Sequence, residues 1–137
     1  MLTYATGYLA ALVTFVAADM VWLGTMAPRF YRPTLGDIAI SDVNLPPAIL
    51  FYAIYPVGVL IFAISPALKS DSLITAAVYG ALFGFFTYAT YDLTNHATLR
   101  NWTLPLTLVD VAWGTILAAF TSIVGVMAIS KLAAAGG

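Results

Sequence analysis

Four stretches of this chain, at about residues 4–26, 48–68, 73–95 and 104–130, run apolar for longer than the roughly 18 residues that mark a membrane-spanning helix. Hydrocarbon offers no water to a backbone N–H or C=O, so such a run must satisfy its polar groups internally, which a helix does. Composition points the same way. Hydrophobic residues make up 62% of the 137 and charged ones 8%, against about 25% charged in soluble domains. Too few polar side chains remain to coat a soluble globule. The expected fold is an all-α membrane protein, a four-transmembrane-helix antiparallel bundle forming one domain over residues 1–137.

Several function classes drop out. With no cysteine there is no disulfide, thiolate metal site or cysteine nucleophile. One histidine cannot build a multi-histidine iron or zinc centre. The net charge is -1 and no basic block occurs, so nucleic acid is not an expected partner. The first run lacks a basic leader and exceeds signal-peptide length, and is expected to stay in place.

Breakers mark the connections. Pro28 and the Arg29–Arg32 segment end the first run, and the long connection Ala27–Pro46 reads as a polar surface loop. Pro46 and Pro47 open the second run, where proline is tolerated. Pro56, within that run, should kink the helix or open a local gap. Gly80 and Gly84 form a GxxxG pair in run three, and Gly114, Ala118, Ser122 and Gly125 form a small face on run four. Such faces let helix backbones approach closely in lipid.

Three aspartates sit inside the apolar runs. At the centre of a membrane helix each costs about 2.5–3.5 kcal/mol on insertion, so such residues face a bundle interior or a wet cavity. Asp19 lies roughly 10 Å from the end of its run at 1.5 Å per residue. Asp110 is at a similar depth in run four. Asp92 closes run three, within YATYDLTNHATLRNW (Tyr88–Trp102). Alternating helix direction puts all three in one leaflet. The basic residues that follow the first run favour the cytoplasmic side for that end.

Helical spacing aligns their neighbours. Asp19, Trp22, Met26 and Arg29 share a face of run one. Tyr88, Asp92, Asn95 and Leu99 share one on run three, and Asp110, Trp113 and Leu117 one on run four. D-x-x-W therefore occurs twice, on the antiparallel first and last helices, a faint internal pseudo-symmetry. Asp92 and Asp110 should face each other or be separated by one polar group, for which Asn95 is the first candidate, and Asp19 should approach the same pocket. Three acids in a low dielectric need a proton, a bound cation or an arginine (Arg29, Arg32 or Arg100) to balance them. The candidate pocket is Asp19, Trp22, Tyr88, Asp92, Asn95, Asp110 and Trp113, with no metal ligand set and no cofactor assigned. Trp102 and His96 read as residues of the membrane boundary. The competing reading is structural: hydrogen-bonded aspartates that join helices, with indole N–H and phenol O–H as donors.

The string YATYDLTNHATLRNW followed by LVDVAWG, with AADMVWLG near the start and LFYAIYPVG in run two, resembles a family of small four-helix bacterial membrane proteins of unknown function. The likeness runs from about residue 5 to 130. It implies the bundle fold, a bacterial inner membrane location, and a shared motif of Asp92, Leu93, Thr94, Asn95, Trp102, Asp110, Trp113 and Gly114. His96 departs from that pattern, which argues against a haem or metal role for it.

Three functions fit these features. The first is a pocket open to one leaflet that binds, or acts by acid–base chemistry on, a small or lipid-like amphipathic molecule. The second is an accessory subunit of a larger membrane assembly, with a membrane-protein partner. The third is a proton or cation pathway, which would need acids in both halves of the membrane. Membrane lipids are partners in every case.

Overall fold

The computed structural model describes residues 2–136. It holds four helices long and apolar enough to cross a membrane: α1 Leu2–Ile38, α2 Leu45–Ser70, α3 Leu73–Thr98 and α4 Leu104–Ala135. The described residues contain no strand.

Regular α-helix in α1 ends at Met26, where the first apolar run ends. The backbone does not leave the helix there. It passes into one π turn, Ala27–Tyr31, then through Arg32–Leu35 and a 3-10 turn, Gly36–Ile38. Much of the connection expected to be a loop is therefore helical. The sequence permits this because Pro28 and Pro33 fall in the first turns of new helical segments, where a missing N–H costs little. Gly36, at φ 57°, takes the left-handed backbone that stops the run. Asn101, from the connection between α3 and α4, holds this end down by donating to Leu35 O (2.7 Å) and Asp37 Oδ1 (2.8 Å).

Pro46 and Pro47 lie in the first turn of α2 and Pro56 in its interior. The irregularity expected at Pro56 is a π turn just beyond it, Leu60–Ile64, and the Leu60 N–H is shared between the Pro56 and Val57 carbonyls. Residues Asp71 and Ser72 connect α2 to α3, and the Ser72 hydroxyl caps α3 by accepting from the Thr75 N–H at 3.2 Å. Thr103 caps α4 in the same way, through Leu106.

Small residues make the closest contacts. A Cβ on Gly80 would lie 2.7 Å from the Ala118 carbonyl and 2.9 Å from the Ala119 Cα; one on Gly84 would collide with the Gly114 carbonyl and stand 2.8 Å from the Ala118 Cβ. The GxxxG face of α3 is thus seated on the small face of α4. Gly125 takes a different neighbour, Ile64 of α2. Phe15, fully buried, fills the centre and stacks on Tyr55 (centroids 4.6 Å apart). Large apolar side chains such as Val13, Ile54, Phe86 and Ile116 point outward, the arrangement expected where lipid replaces water.

α2 leans on α1 along Leu45–Val59 and meets α3 closely only from its π turn onward. Nearer the acidic end Tyr55 bridges the gap, its hydroxyl 3.1 Å from Thr87 Oγ1.

Because Gly84 touches α4 backbone while a Cβ on Gly24 would meet nothing within 4 Å, the two should respond differently to enlargement. Gly84→Leu is expected to lower stability by about 1–3 kcal/mol or more, as overpacking does, and Gly24→Ala to leave it unchanged or slightly raised. Thermal unfolding in detergent checks both.

Candidate functional site

Asp19 is buried, 6% exposed, on the inner face of α1. Each of its oxygens has a donor from a different helix. Trp113 Nε1 of α4 donates to Oδ1 at 3.0 Å, and the Tyr52 hydroxyl of α2 donates to Oδ2 at 2.6 Å. Hydrogen bonds to a charged group contribute about 1.5–3 kcal/mol each. Two of them offset the insertion cost of an aspartate, about 2.5–3.5 kcal/mol.

The indoles of Trp113 and Trp22 lie flat on each other, with centroids 4.3 Å apart and planes 4° from parallel. Trp22 Nε1 then donates to the Tyr31 hydroxyl at 3.0 Å, and Tyr31 donates to Asp110 Oδ1. The doubled D-x-x-W thus becomes a crossed pair. Helices running in opposite directions set Asp19 opposite Trp113 and Asp110 opposite Trp22. Trp113 reaches its acid directly, whereas Trp22 reaches Asp110 through the Tyr31 phenol.

Asp92 is fully buried, and no protein N–H or O–H reaches either of its oxygens. Its neighbour is the Asp110 carboxyl, within hydrogen-bonding reach. Two carboxyls can hydrogen-bond only through a hydrogen held between them. Both residues stand six positions from the connection, Asp92 before Thr98 and Asp110 after Leu104, and the glycine contacts bring α3 and α4 close together. The carboxyls therefore meet directly, and the bridge expected from Asn95 is not made. Asn95 is half-buried beside Tyr91.

Of the remaining expected residues, Tyr88 packs its ring on Gly114, where a Cβ would collide with it. Asp19 stays one turn deeper than the Asp92–Asp110 pair and joins it through the tryptophans, and among the described residues no group of three acidic or histidine side chains could hold a metal ion. The arginines do not fold in. Arg29, Arg32 and Arg100 are exposed, and Arg32 donates to the Ser41 carbonyl at 2.9 Å. Trp102, expected at the membrane boundary, packs inside the fold. It is 8% exposed, folded back over the first turn of α4, with Nε1 donating to Thr107 Oγ1 at 3.2 Å and its ring edge-on to Tyr91.

Four tyrosines of the site, Tyr31, Tyr52, Tyr55 and Tyr91, were not among the expected residues. Tyr52 and Tyr55 carry a legible signal: two phenols one turn apart, just before Pro56, on a helix that must cover an acid. Tyr31 carries none. It follows Trp22 by nine positions, about two and a half turns of α-helix, which puts it on the opposite face. The π turn Ala27–Tyr31 is what brings it round, a use of π turns that recurs at functional sites.

A cavity of about 420 Å³ adjoins the acid pair, lined by Phe51, Tyr55, Thr87, Tyr88, Tyr91 and Asp110. It occupies the gap between the first half of α2 and the end of α3. Its rim residues Phe51 and Tyr91 are exposed on the outer surface. It shares Thr87 with a groove on the outer face of α3, and Phe51 and Tyr55 with a groove on α2.

Tyr31→Phe removes one oxygen and leaves both Trp22 and Asp110 short of a partner. It is expected to cost about 1–3 kcal/mol, the penalty of unsatisfied buried polar groups. Tyr79→Phe, at a side chain 46% exposed, should cost almost nothing. Thermal unfolding of the two variants side by side tests the difference.

Neither the curated proteins nor the solved structures hold a match to this chain. A family pattern does match, over residues 4–127, covering the paired D-x-x-W segments, the α3 acid and the whole lining of the cavity. The chain belongs to the family described as "Predicted membrane protein (DUF2177)", a family of unknown function.

Proposed function

We propose that this multi-pass membrane protein binds a small lipid-like molecule, entering from the bilayer between α2 and α3 and seating a polar head against Asp110. One observation carries the reading: the cavity wall is aromatic except for Thr87 and one carboxyl. Its size, about 420 Å³, falls in the range of small-molecule sites, about 300–1,000 Å³, which pair apolar walls with few polar groups. An exposed rim of Phe51 and Tyr91 suits a ligand that arrives from lipid.

The acids divide the work. Asp19 has a donor on each oxygen and serves to fix α1, α2 and α4 to one another. Asp110 meets the ligand, and Asp92 supports it from behind. Intramembrane ionisable residues without full partners are functional by default, and Asp92 fits that description. Trp22, Trp113 and Tyr31 position Asp110, Tyr88 forms cavity wall, and Asn95 lies beside the rim. The setting is the bacterial inner membrane implied by the resemblance noted above. An accessory-subunit role has less support, because the GxxxG face that could dock a partner is occupied by α4 of the same chain.

Native mass spectrometry of the protein extracted gently from its own membrane tests the reading. The wild-type protein is expected to retain a bound amphiphile, and Thr87→Trp, which fills the cavity, to lose it while remaining folded by circular dichroism. A wild-type protein that carries nothing and takes up no added amphiphile would contradict the proposal.

A further inference from the structure

We infer that the head group seated against Asp110 is a cation, a primary ammonium on a single apolar tail. The inference rests on the binding reading above and names the ligand class of that site.

Charge balance comes first. Asp92 and Asp110 touch, and Asp92 is fully buried with no protein donor on either oxygen. One hydrogen held between two carboxyls still leaves one negative charge. No basic side chain hydrogen-bonds to the pair, and this includes His96, which is half-buried one turn beyond Asp92 on α3. Arg29, Arg32 and Arg100 are exposed, and Lys69 and Lys131 lie near the opposite ends of α2 and α4. Tyr31 supplies a single O–H, to Asp110 Oδ1. No protein N–H donates to the other oxygen of Asp110, Oδ2, and the residue lines the cavity. A monocationic ligand supplies both the missing charge and N–H donors for that oxygen, and charge-assisted bonds of this kind are about twice as strong as neutral ones.

The walls discriminate in the same direction. Phe51, Tyr55, Tyr88 and Tyr91 surround the carboxyl, and aromatic rings attract ammonium groups. An anionic head would find no lysine, arginine or histidine in the lining. The hydroxyl of Tyr55 is engaged with Thr87, and Thr87 itself donates to the Phe83 and Gly84 carbonyls. A phosphate or sulfate would therefore face a carboxyl, with only the neutral phenols of Tyr88 and Tyr91 as donors.

The test uses purified full-length protein in phosphatidylcholine nanodiscs at about pH 7, where an alkylamine is charged. Dodecylamine, dodecanol and dodecyl sulfate are titrated in turn, and binding is followed by the fluorescence of the tryptophans beside the acid network. Dodecylamine is expected to bind at least about tenfold more tightly than dodecanol, with dodecyl sulfate weakest. Asp110→Asn removes the charge facing the cavity and should erase the preference for the amine over the alcohol, whereas Asp92→Asn, which leaves one negative charge on Asp110, should keep it. Should either variant fail to fold, the ranking of the three probes on wild-type protein still decides. Dodecanol matching or exceeding dodecylamine would overturn the cationic assignment and leave the binding reading standing. No saturable binding of any probe would overturn both.

Discussion

A carboxyl group placed in hydrocarbon must be given donors, and most of this structure follows from how that demand is met. Asp19 takes one N–H from α4 and one O–H from α2, so a single side chain ties three helices together at one depth. Asp110 takes its donor from Tyr31, beyond the end of the first apolar run, and so draws the extension of α1 over the end of the bundle. In water these helices would be driven together by apolar burial. In lipid that force is absent, and close packing of small residues together with a few buried polar bonds takes its place. The bulky apolar residues face outward because nothing is gained by burying them.

The crossed arrangement has a geometric origin. Two copies of D-x-x-W on antiparallel helices place each acid opposite the other helix's tryptophan, and the indoles stack where they pass. The symmetry is broken at one point, where Tyr31 stands between Trp22 and Asp110. That insertion depends on the π turn Ala27–Tyr31. The second π turn, Leu60–Ile64 in α2, marks the level at which α2 comes into close contact with α3. Above it the two helices part and the cavity lies between them. Each irregularity is tied to a proline: the first π turn contains Pro28 and the second begins four residues after Pro56, so the local chemistry that disturbs the helices also shapes the site.

Much of this was legible in the sequence. Four long apolar runs fixed four helices, and helix direction alone put Asp19, Asp92 and Asp110 at one end. The glycine pair of α3 and the small face of α4 announced close helix packing, but not that each is the other's partner. Position counting also brought Asp92 and Asp110 level. What the sequence hid was phase. A straight helix would carry Arg29 on the Asp19 face, and that expectation offered a guanidinium as counter-charge. The π turn rotates Tyr31 into the site and leaves Arg29 exposed. Asn95 makes no bridge because the two carboxyls meet directly. Trp102 looked like a boundary residue because its sequence position is at a helix end, and only the fold-back of a short connection buries it. Each miss arose where a local backbone feature overrode ideal periodicity.

Asp19 and Asp110 are bound to particular donors and are not merely near them. A double-mutant cycle on the Asp19–Trp113 pair tests this most directly, because the two residues sit on different helices and share one hydrogen bond of 3.0 Å. Asp19→Leu, Trp113→Phe and the double variant would be unfolded thermally in the same micelle. A coupling energy of about 1 kcal/mol or more is expected, as for contacting residues in one polar network. Additivity within about 0.3–0.5 kcal/mol would contradict it, and would mean that Asp19 does not hold α1 to α4.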